Sequence, residues 1–164
     1  MGITADFSMK AFDELMNAIP DIFYGEIVRA FSYLGEQCIK RIRDRSAKES
    51  WIDQTGNLRS SIGYAVYEEG KVLIESAFEQ IKDGKDGSLK GRKVIEELAS
   101  KYSQTYALVV VAGMEYAEYV EAMNNKDVLA STELWARSKV NEYLEKAKER
   151  AYGKILQLQK NLGL

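Results

Sequence analysis

The segment IGYAVYEEGKVLIESAF, residues 62–78, decides the fold class of this chain, because the apolar pattern changes there from a helical period to an alternation. In an extended strand Ile62, Tyr64 and Val66 would share one face. Glu69-Gly70 then offers a turn into a second run, which is rich in β-branched and aromatic residues. We therefore predict a β-hairpin over residues 62–78.

Two further segments are predicted to extend this hairpin into a sheet. Residues 106–112, YALVVVA, are almost entirely apolar and are β-branched in the middle, which is typical of a central strand covered on both faces. Residues 126–130 are expected to add an edge strand. The predicted sheet is antiparallel and has about four strands.

Helices are predicted before the sheet region. Apolar residues recur at three- and four-residue spacing from Ser8, a candidate N-cap, to Ile19, and this first helix is expected to end at Pro20. A second helix, with an apolar stripe of its own, is expected over residues 21–46.

A polar stretch separates the hairpin from the strand at 106–112. Gly84, Gly87 and Gly91 lie there among charged residues without an apolar period, which predicts a mobile loop that a protease would cut first. Residues 92–102 return to helical spacing. Loop and helix together form an insertion over residues 79–104.

The chain after residue 113 is expected to be helical. Residues 114–121 favour a short helix, and Ser131 or Thr132 can cap a final helix that reaches about residue 160. The final helix carries a seam like that of a coiled coil, made by Val140, Leu144, Ala147, Ala151, Ile155, Leu158 and Leu162. The predicted fold is α+β, with an antiparallel sheet packed against long N-terminal and C-terminal helices.

The residue types that are missing exclude most catalytic classes. The 164 residues include no His and one Cys, which rules out Ser-His-Asp and Cys-His units, an imidazole base and His-containing zinc sites. Cys38 is expected to be a small buried residue. The longest apolar run is too short to cross a bilayer, and no lipid anchor is implied. We expect no catalytic residue, no cofactor, no metal site and no membrane contact.

Two segments carry more specific information than their periodicity. They are WIDQTGNLRSSI at residues 51–62 and YAEYVE at residues 116–121. Together they resemble the bacteriophage tail-component family of head-tail connector and tail-completion proteins, whose members share a TG-x-L-x-x-S-I element, strands, a YA-x-Y-V-E element and a C-terminal helix. Relatives continue with Gly-Thr and a Pro-Phe-Leu segment, which residues 122–125 and 131–135 replace here.

The resemblance spans residues 51–147 and suggests an organisation for the whole chain. Residues 1–164 would form a single domain, in which residues 1–50 are the N-terminal helices and residues 51–147 are the α+β core with its insertion. Residues 148–164 would be a C-terminal helical extension.

The resemblance implies a structural protein of a phage or prophage virion that forms a ring at the neck or at the head-proximal end of the tail. The ring would be a hexamer or of higher cyclic order, with further copies and the neighbouring neck and tail proteins as partners. The chain would be found in the virion, and in the bacterial host cytoplasm during assembly. The candidate interface residues are Arg59, Tyr116, Tyr119, Glu121, Ile155, Leu158 and Leu162.

Several of these residues also have an interpretation that needs no partner. Capping of a helical turn explains Thr55 and Gly56, so that only Arg59, which would project outward, needs a partner. The tyrosines of the second motif are typical of core packing, and its glutamates of a solvated face rather than a metal site. The C-terminal seam would pack either on the first long helix or on a neighbouring subunit.

A cluster of cations leaves a second function open. It comprises Lys40, Arg41, Arg43, Arg45 and Lys48. Such a patch would suit a DNA-associated accessory protein, or a non-specific DNA contact in the lumen of a ring, but cations also collect at a helix C-terminus. The net charge of −2 and the lack of a nucleic-acid-binding motif favour the helix end. An enzyme that uses carboxylates alone is a third interpretation, for which no suitable spacing is visible.

Overall fold

A computed structural model describes residues 7–46, 48, 50–123 and 126–164, and it has the predicted α+β class with long N-terminal and C-terminal helices. The elements in chain order are α1 (Met9–Arg43), α2 (Asn57–Ser60), β1 (Ile62–Glu68), β2 (Lys71–Glu75), α3 (Lys85–Leu98), a 3-10 turn (Ala99–Tyr102), β3 (Tyr106–Ala112), α4 (Ala117–Ala122) and α5 (Ala130–Asn161).

The described chain divides into two compact units. The helix-pair unit consists of α1 up to Ala30 and of α5 from Asn141, and the α+β unit is Phe31–Val140. The division therefore falls inside the two long helices.

The sheet is antiparallel with the order β2-β1-β3, so that β1 is its central strand. The predicted hairpin is confirmed, but the described residues form three strands rather than about four. Residues 126–130 are not a strand, because this segment turns into α5, which begins at Ala130. The placement of residues 106–112 at the centre is also wrong, because within the described part of the chain β3 pairs with β1 alone and lies at an edge.

The two faces of the sheet have separate cores. Ile62, Tyr64 and Val66 of β1 face a cluster that includes Ile39 and Ile42 of α1. The intervening residues of β1 face a second cluster with α3, in which the hydroxyl of Tyr67 donates to the carbonyl of Ile95 at 2.7 Å. This alternation explains why β1 is buried over six consecutive residues.

Helix α1 does not end at Pro20, as the sequence predicted, but continues through it to Arg43. Ser8 caps it as expected, since its hydroxyl accepts a hydrogen bond from the N–H of Ala11 at 3.3 Å. Proline removes one backbone donor from a helix but leaves the following bonds in place. In the helix-pair unit, Leu15 and Ala30 are buried on either side of the proline, and this burial stabilises the helix there.

Much of the insertion that was predicted as a mobile loop is helical, since α3 begins at Lys85. A Cβ atom on Gly87 would lie 1.9 Å from the carbonyl oxygen of Asn57, and one on Gly91 would lie 2.3 Å from the ring of Phe78. These glycines therefore allow α3 to approach α2 and the end of the hairpin closely. The sequence of this part of α3 has no apolar period because the glycine backbone of the helix, rather than large apolar side chains, makes these contacts.

Candidate functional site

The first motif folds into a capped helical turn that leads into β1, as predicted. The hydroxyl of Thr55 accepts a hydrogen bond from the N–H of Asn57 at 3.3 Å, and Asp53 Oδ1 accepts one from the N–H of Gly56 at 3.1 Å. Gly56 adopts a left-handed conformation with φ of 84°, which favours glycine. Leu58 is 2% exposed, so the turn anchors itself in the core beneath the sheet.

Arg59, predicted to project outward, points instead into the α+β unit. Its guanidinium donates to the carbonyl of Arg43 and, at 3.3 Å, to that of Arg45, and thus satisfies carbonyl groups at the end of α1. It also lies 3.5 Å from Asp53 and 5.0 Å from the centroid of the Trp51 ring. The expectation of an outward Arg59 is wrong because these local partners use its charge.

The predicted basic patch is divided among internal contacts. Arg43 donates to the carbonyl of Ile62 at 2.9 Å, and burial lowers the pKa of its guanidinium. Arg45 pairs with Asp127 at 2.9 Å, and the guanidinium of Arg41 lies 5.4 Å from the ring of Trp135. Lys40, Arg41 and Lys48 are exposed, so only part of the cluster remains to form a positive surface for DNA.

The tyrosines of the second motif are exposed, contrary to the expectation of core packing. Tyr116 is 42% exposed and Tyr119 is 68% exposed, while Val120 beside them packs against the core. Burial of part of the ring, together with the nearby charge of Asp53, raises the pKa of Tyr116. Met123 adds to the same exposed segment, which gives α4 an aromatic and apolar surface.

Glu121, a candidate interface residue, caps the start of α5. Its carboxylate accepts hydrogen bonds from the backbone N–H groups of Val128, Leu129 and Ala130 at 2.9, 2.7 and 3.1 Å. A carboxylate at this position satisfies free donors and interacts favourably with the helix dipole. The last glutamate of the motif therefore connects α4 to α5, and the sequence contained no local signal of this contact.

The two motifs, which are far apart in sequence, meet in one core. Trp51 and Leu58 from the first motif and Ala117 from the second belong to the same buried cluster beneath β1. Three polar atoms close to this meeting point are buried without a hydrogen bond in the described structure, namely Trp51 Nε1, Asp53 Oδ2 and Arg43 Nε. The motif residues thus form one connected structural site.

The C-terminal seam lies in the helix-pair unit, where Ala147 and Ala151 are buried. Ile155, Leu158 and Leu162 are half-buried there. The ring of Tyr152 packs edge-on against that of Phe23 of α1, with centroids 5.6 Å apart. At least this part of α5 therefore contacts the first long helix of the same chain.

A buried carboxylate in the helix-pair unit escaped the sequence analysis. Glu26 is 1% exposed and lies 2.6 Å from Arg150 Nε and 2.7 Å from Lys154 Nζ. Hydrogen bonds from Lys154 and Arg150 outweigh burial and lower the pKa of Glu26. The sequence held two signals of this contact. One is an acidic residue within the apolar stripe of α1, and the other is a pair of cations four residues apart on α5.

Comparisons with known proteins do not assign this site. No family model, no curated protein and no solved structure matches the chain. Among the residues that the structure describes, none of the helices has the length and apolar character needed to span a membrane. In the same part of the chain, no three side chains of Cys, Asp or Glu are grouped so that they could hold a metal ion.

Proposed function

We propose that this chain is a structural protein of a phage or prophage virion, which forms a ring at the head-tail junction or at the head-proximal end of the tail. The observation that carries the proposal is the shared core of the two family-like motifs. Trp51 and Leu58 contribute to it from one motif and Ala117 from the other, so the two motifs form one structural unit, as a shared family core would.

The exposed side of the second motif supports assembly as the activity of this unit. Tyr119 on α4 is 68% exposed and Met123, directly after the helix, is 42% exposed, and aromatic residues and methionine are enriched in protein interfaces. Val120 and Ala117 anchor the same helix in the core, which holds the exposed side chains on a rigid support. The partners would be further copies of the chain, as a hexamer or a larger ring, and neighbouring neck and tail proteins.

The internal contacts of the basic cluster favour this function over that of a DNA-associated accessory protein. Arg43 and Arg45 are held by Ile62 and Asp127, so a DNA contact in the lumen would depend mainly on Lys40, Arg41 and Lys48. Binding through so few phosphate contacts would be weak and would fall with log salt at a slope of about −0.9 for each phosphate neutralised.

Mass photometry and negative-stain imaging of the full chain over a range of concentrations test the proposal. We expect closed rings, and we expect Tyr119→Asp to shift the population towards monomers because it places a charge in the interface. Leu89→Asp is the matched control, since Leu89 is 58% exposed on α3 and belongs to neither motif. A monomer at every concentration that also fails to enter particles, when it is co-expressed with neighbouring virion proteins, would refute the assignment.

A further inference from the structure

Strand β3 has one hydrogen-bonding side that is not used by the sheet. The N–H of Gly113 donates to the carbonyl of Ser61 at 3.1 Å, and the N–H of Glu69 donates to the carbonyl of Thr105 at 3.4 Å. Because residues of an antiparallel pair alternate between facing the partner and facing away, the odd-numbered residues of β3 bond to β1. The N–H and C=O groups of Leu108, Val110 and Ala112 therefore point away from the sheet.

This free edge lacks the features that usually protect an edge strand. Residues 106–112 include no charge and no proline, and their pairing with β1 runs without a shift in register. The opposite edge, β2, begins with Lys71, ends with Glu75 and has an irregular register against β1. An uncharged edge in which Leu108, Val110 and Ala112 direct their main-chain groups outward is a template for another strand.

The free edge opens into a groove in the α+β unit with a cavity volume of about 470 Å³. Leu108 and Val110 line one side, and aliphatic and aromatic residues of α1, such as Phe31 and Leu34, line another. From α5 and the residue before it, the groove is lined by a mixed set of apolar and polar residues, namely Leu129, Thr132, Glu133, Ala136, Arg137 and Val140.

The charges at this groove cancel each other. Arg137 lies 2.8 Å from Glu133, and both side chains are largely exposed. The groove thus offers apolar contacts, main-chain groups that no strand of the described residues pairs with, and a balanced pair of charges, which is complementary to an uncharged extended segment. A charged segment would be desolvated there without a partner of opposite sign.

The helices that line the groove also limit what can enter it. A neighbouring strand lies about 4.8 Å from β3, and layers of secondary structure pack about 10 Å apart. The position beside β3 therefore faces α1 and α5, which already supply the helical layer. The edge of another sheet with helices of its own would overlap with them, whereas a single extended arm would not.

We propose that this groove binds an extended arm of a partner polypeptide, which pairs with β3 as a fourth strand and places an apolar side chain at every second position against α1 and α5. The main-chain groups of Leu108 and Val110 supply the hydrogen bonds, and the helices supply the apolar contacts. The inference does not depend on the virion assignment, because it rests on the free edge and the groove alone.

A labelled peptide with the sequence of residues 106–112, flanked by lysines for solubility, is a suitable probe because it has the required chemistry. We expect saturable binding by fluorescence anisotropy, and slower hydrogen exchange of the Leu108 and Val110 amides when the peptide is bound. Methylation of alternate peptide nitrogens, on the side that faces β3, should weaken binding about tenfold or more through the loss of several hydrogen bonds. This control uses the unaltered protein, so it does not depend on the folding of a variant.

Two variants of α5 separate the groove from the general surface of that helix. Ala136→Trp should fill the groove and abolish peptide binding, while Leu134→Trp, at a 71% exposed position, should leave it unchanged. Equal binding of the methylated peptide, or unchanged exchange at Leu108 and Val110, would overturn the proposal. Protection of these amides that grows with protein concentration, without peptide, would also overturn it by assigning the groove to a second copy. Ring formation is measured separately, so failure here leaves the proposed function standing.

Discussion

Replacement of Arg59 by methionine tests whether this motif residue holds the fold together or contacts a partner. Its guanidinium bonds two carbonyls at the end of α1 and lies 3.5 Å from Asp53, whose side chain is 7% exposed. Removing the cation leaves the buried Asp53 carboxylate without an opposite charge, which costs about 3–5 kcal/mol. The hydrogen bonds to the carbonyls are lost in the same step and are counted within this figure, because one guanidinium makes both the ion pair and the hydrogen bonds. We therefore expect the free energy of unfolding to fall by about 3–5 kcal/mol, out of a typical total of roughly 5–15 kcal/mol.

Urea denaturation followed by tryptophan fluorescence measures this loss. With a slope of about 1–3 kcal/mol per molar urea, the midpoint should fall by roughly 2 M. Arg92→Met is the matched control, because Arg92 also pairs with a carboxylate and lies over an aromatic ring but is 47% exposed, so its loss should cost less than about 1 kcal/mol. Asp53→Asn added to Arg59→Met should restore part of the stability. An unchanged midpoint together with lost assembly would refute the structural role and make Arg59 an interface residue.

Three further predictions concern the glycines and the helix-pair unit. Gly87→Ala should destabilise the protein in thermal melts, because the new Cβ would lie 1.9 Å from a backbone oxygen. Gly153→Ala in α5 has open space around the new Cβ and should stabilise the protein by about 0.5–1 kcal/mol, and equal effects of the two variants would contradict the close approach of α3. The pKa of Glu26 in the folded protein lies below its ordinary value of 4.5, so its contribution to stability should be complete above about pH 4.5. That contribution should be lost as the pH falls through the folded pKa, and Glu26→Gln should remove this part of the pH dependence of unfolding. Ile155→Asp combined with Leu158→Asp should lower the melting temperature without changing the oligomeric state, while a folded monomer of unchanged stability would place this seam between subunits.

The features that the sequence predicted correctly depend on near neighbours in the chain. The hairpin around Gly70 follows from alternation and a turn, and the caps at Ser8 and Thr55 follow from a side chain next to free backbone donors. The burial of Cys38, which is 1% exposed, follows from its place in an apolar stripe. Each of these interactions spans a few residues, so a single stretch of sequence contains both partners.

The features that the sequence misassigned depend on partners far along the chain. The cap that Glu121 makes was missed because nothing in its own helix shows that three N–H groups at residues 128–130 need an acceptor. Gly87 suggested a loop because its contact, the backbone of Asn57, leaves no apolar pattern. The apolar sequence of residues 106–112 suggested a central strand, because such a sequence indicates apolar surroundings but not what provides them. Here a groove lined by helices, rather than a second neighbouring strand, lies beside β3.

The sequence by itself determined the α+β class, the hairpin, the two long terminal helices and the motif that caps the turn before β1, since local backbone preferences and periodic burial specify all of them. Only the tertiary structure decided that Arg59 turns inward, that the two motifs share a core and that β3 has a free edge. Each of these three features depends on contacts between residues far apart in the sequence. The free energy of such a contact is determined by its burial and by the partner groups that the fold brings close, and no single segment of the sequence contains this information.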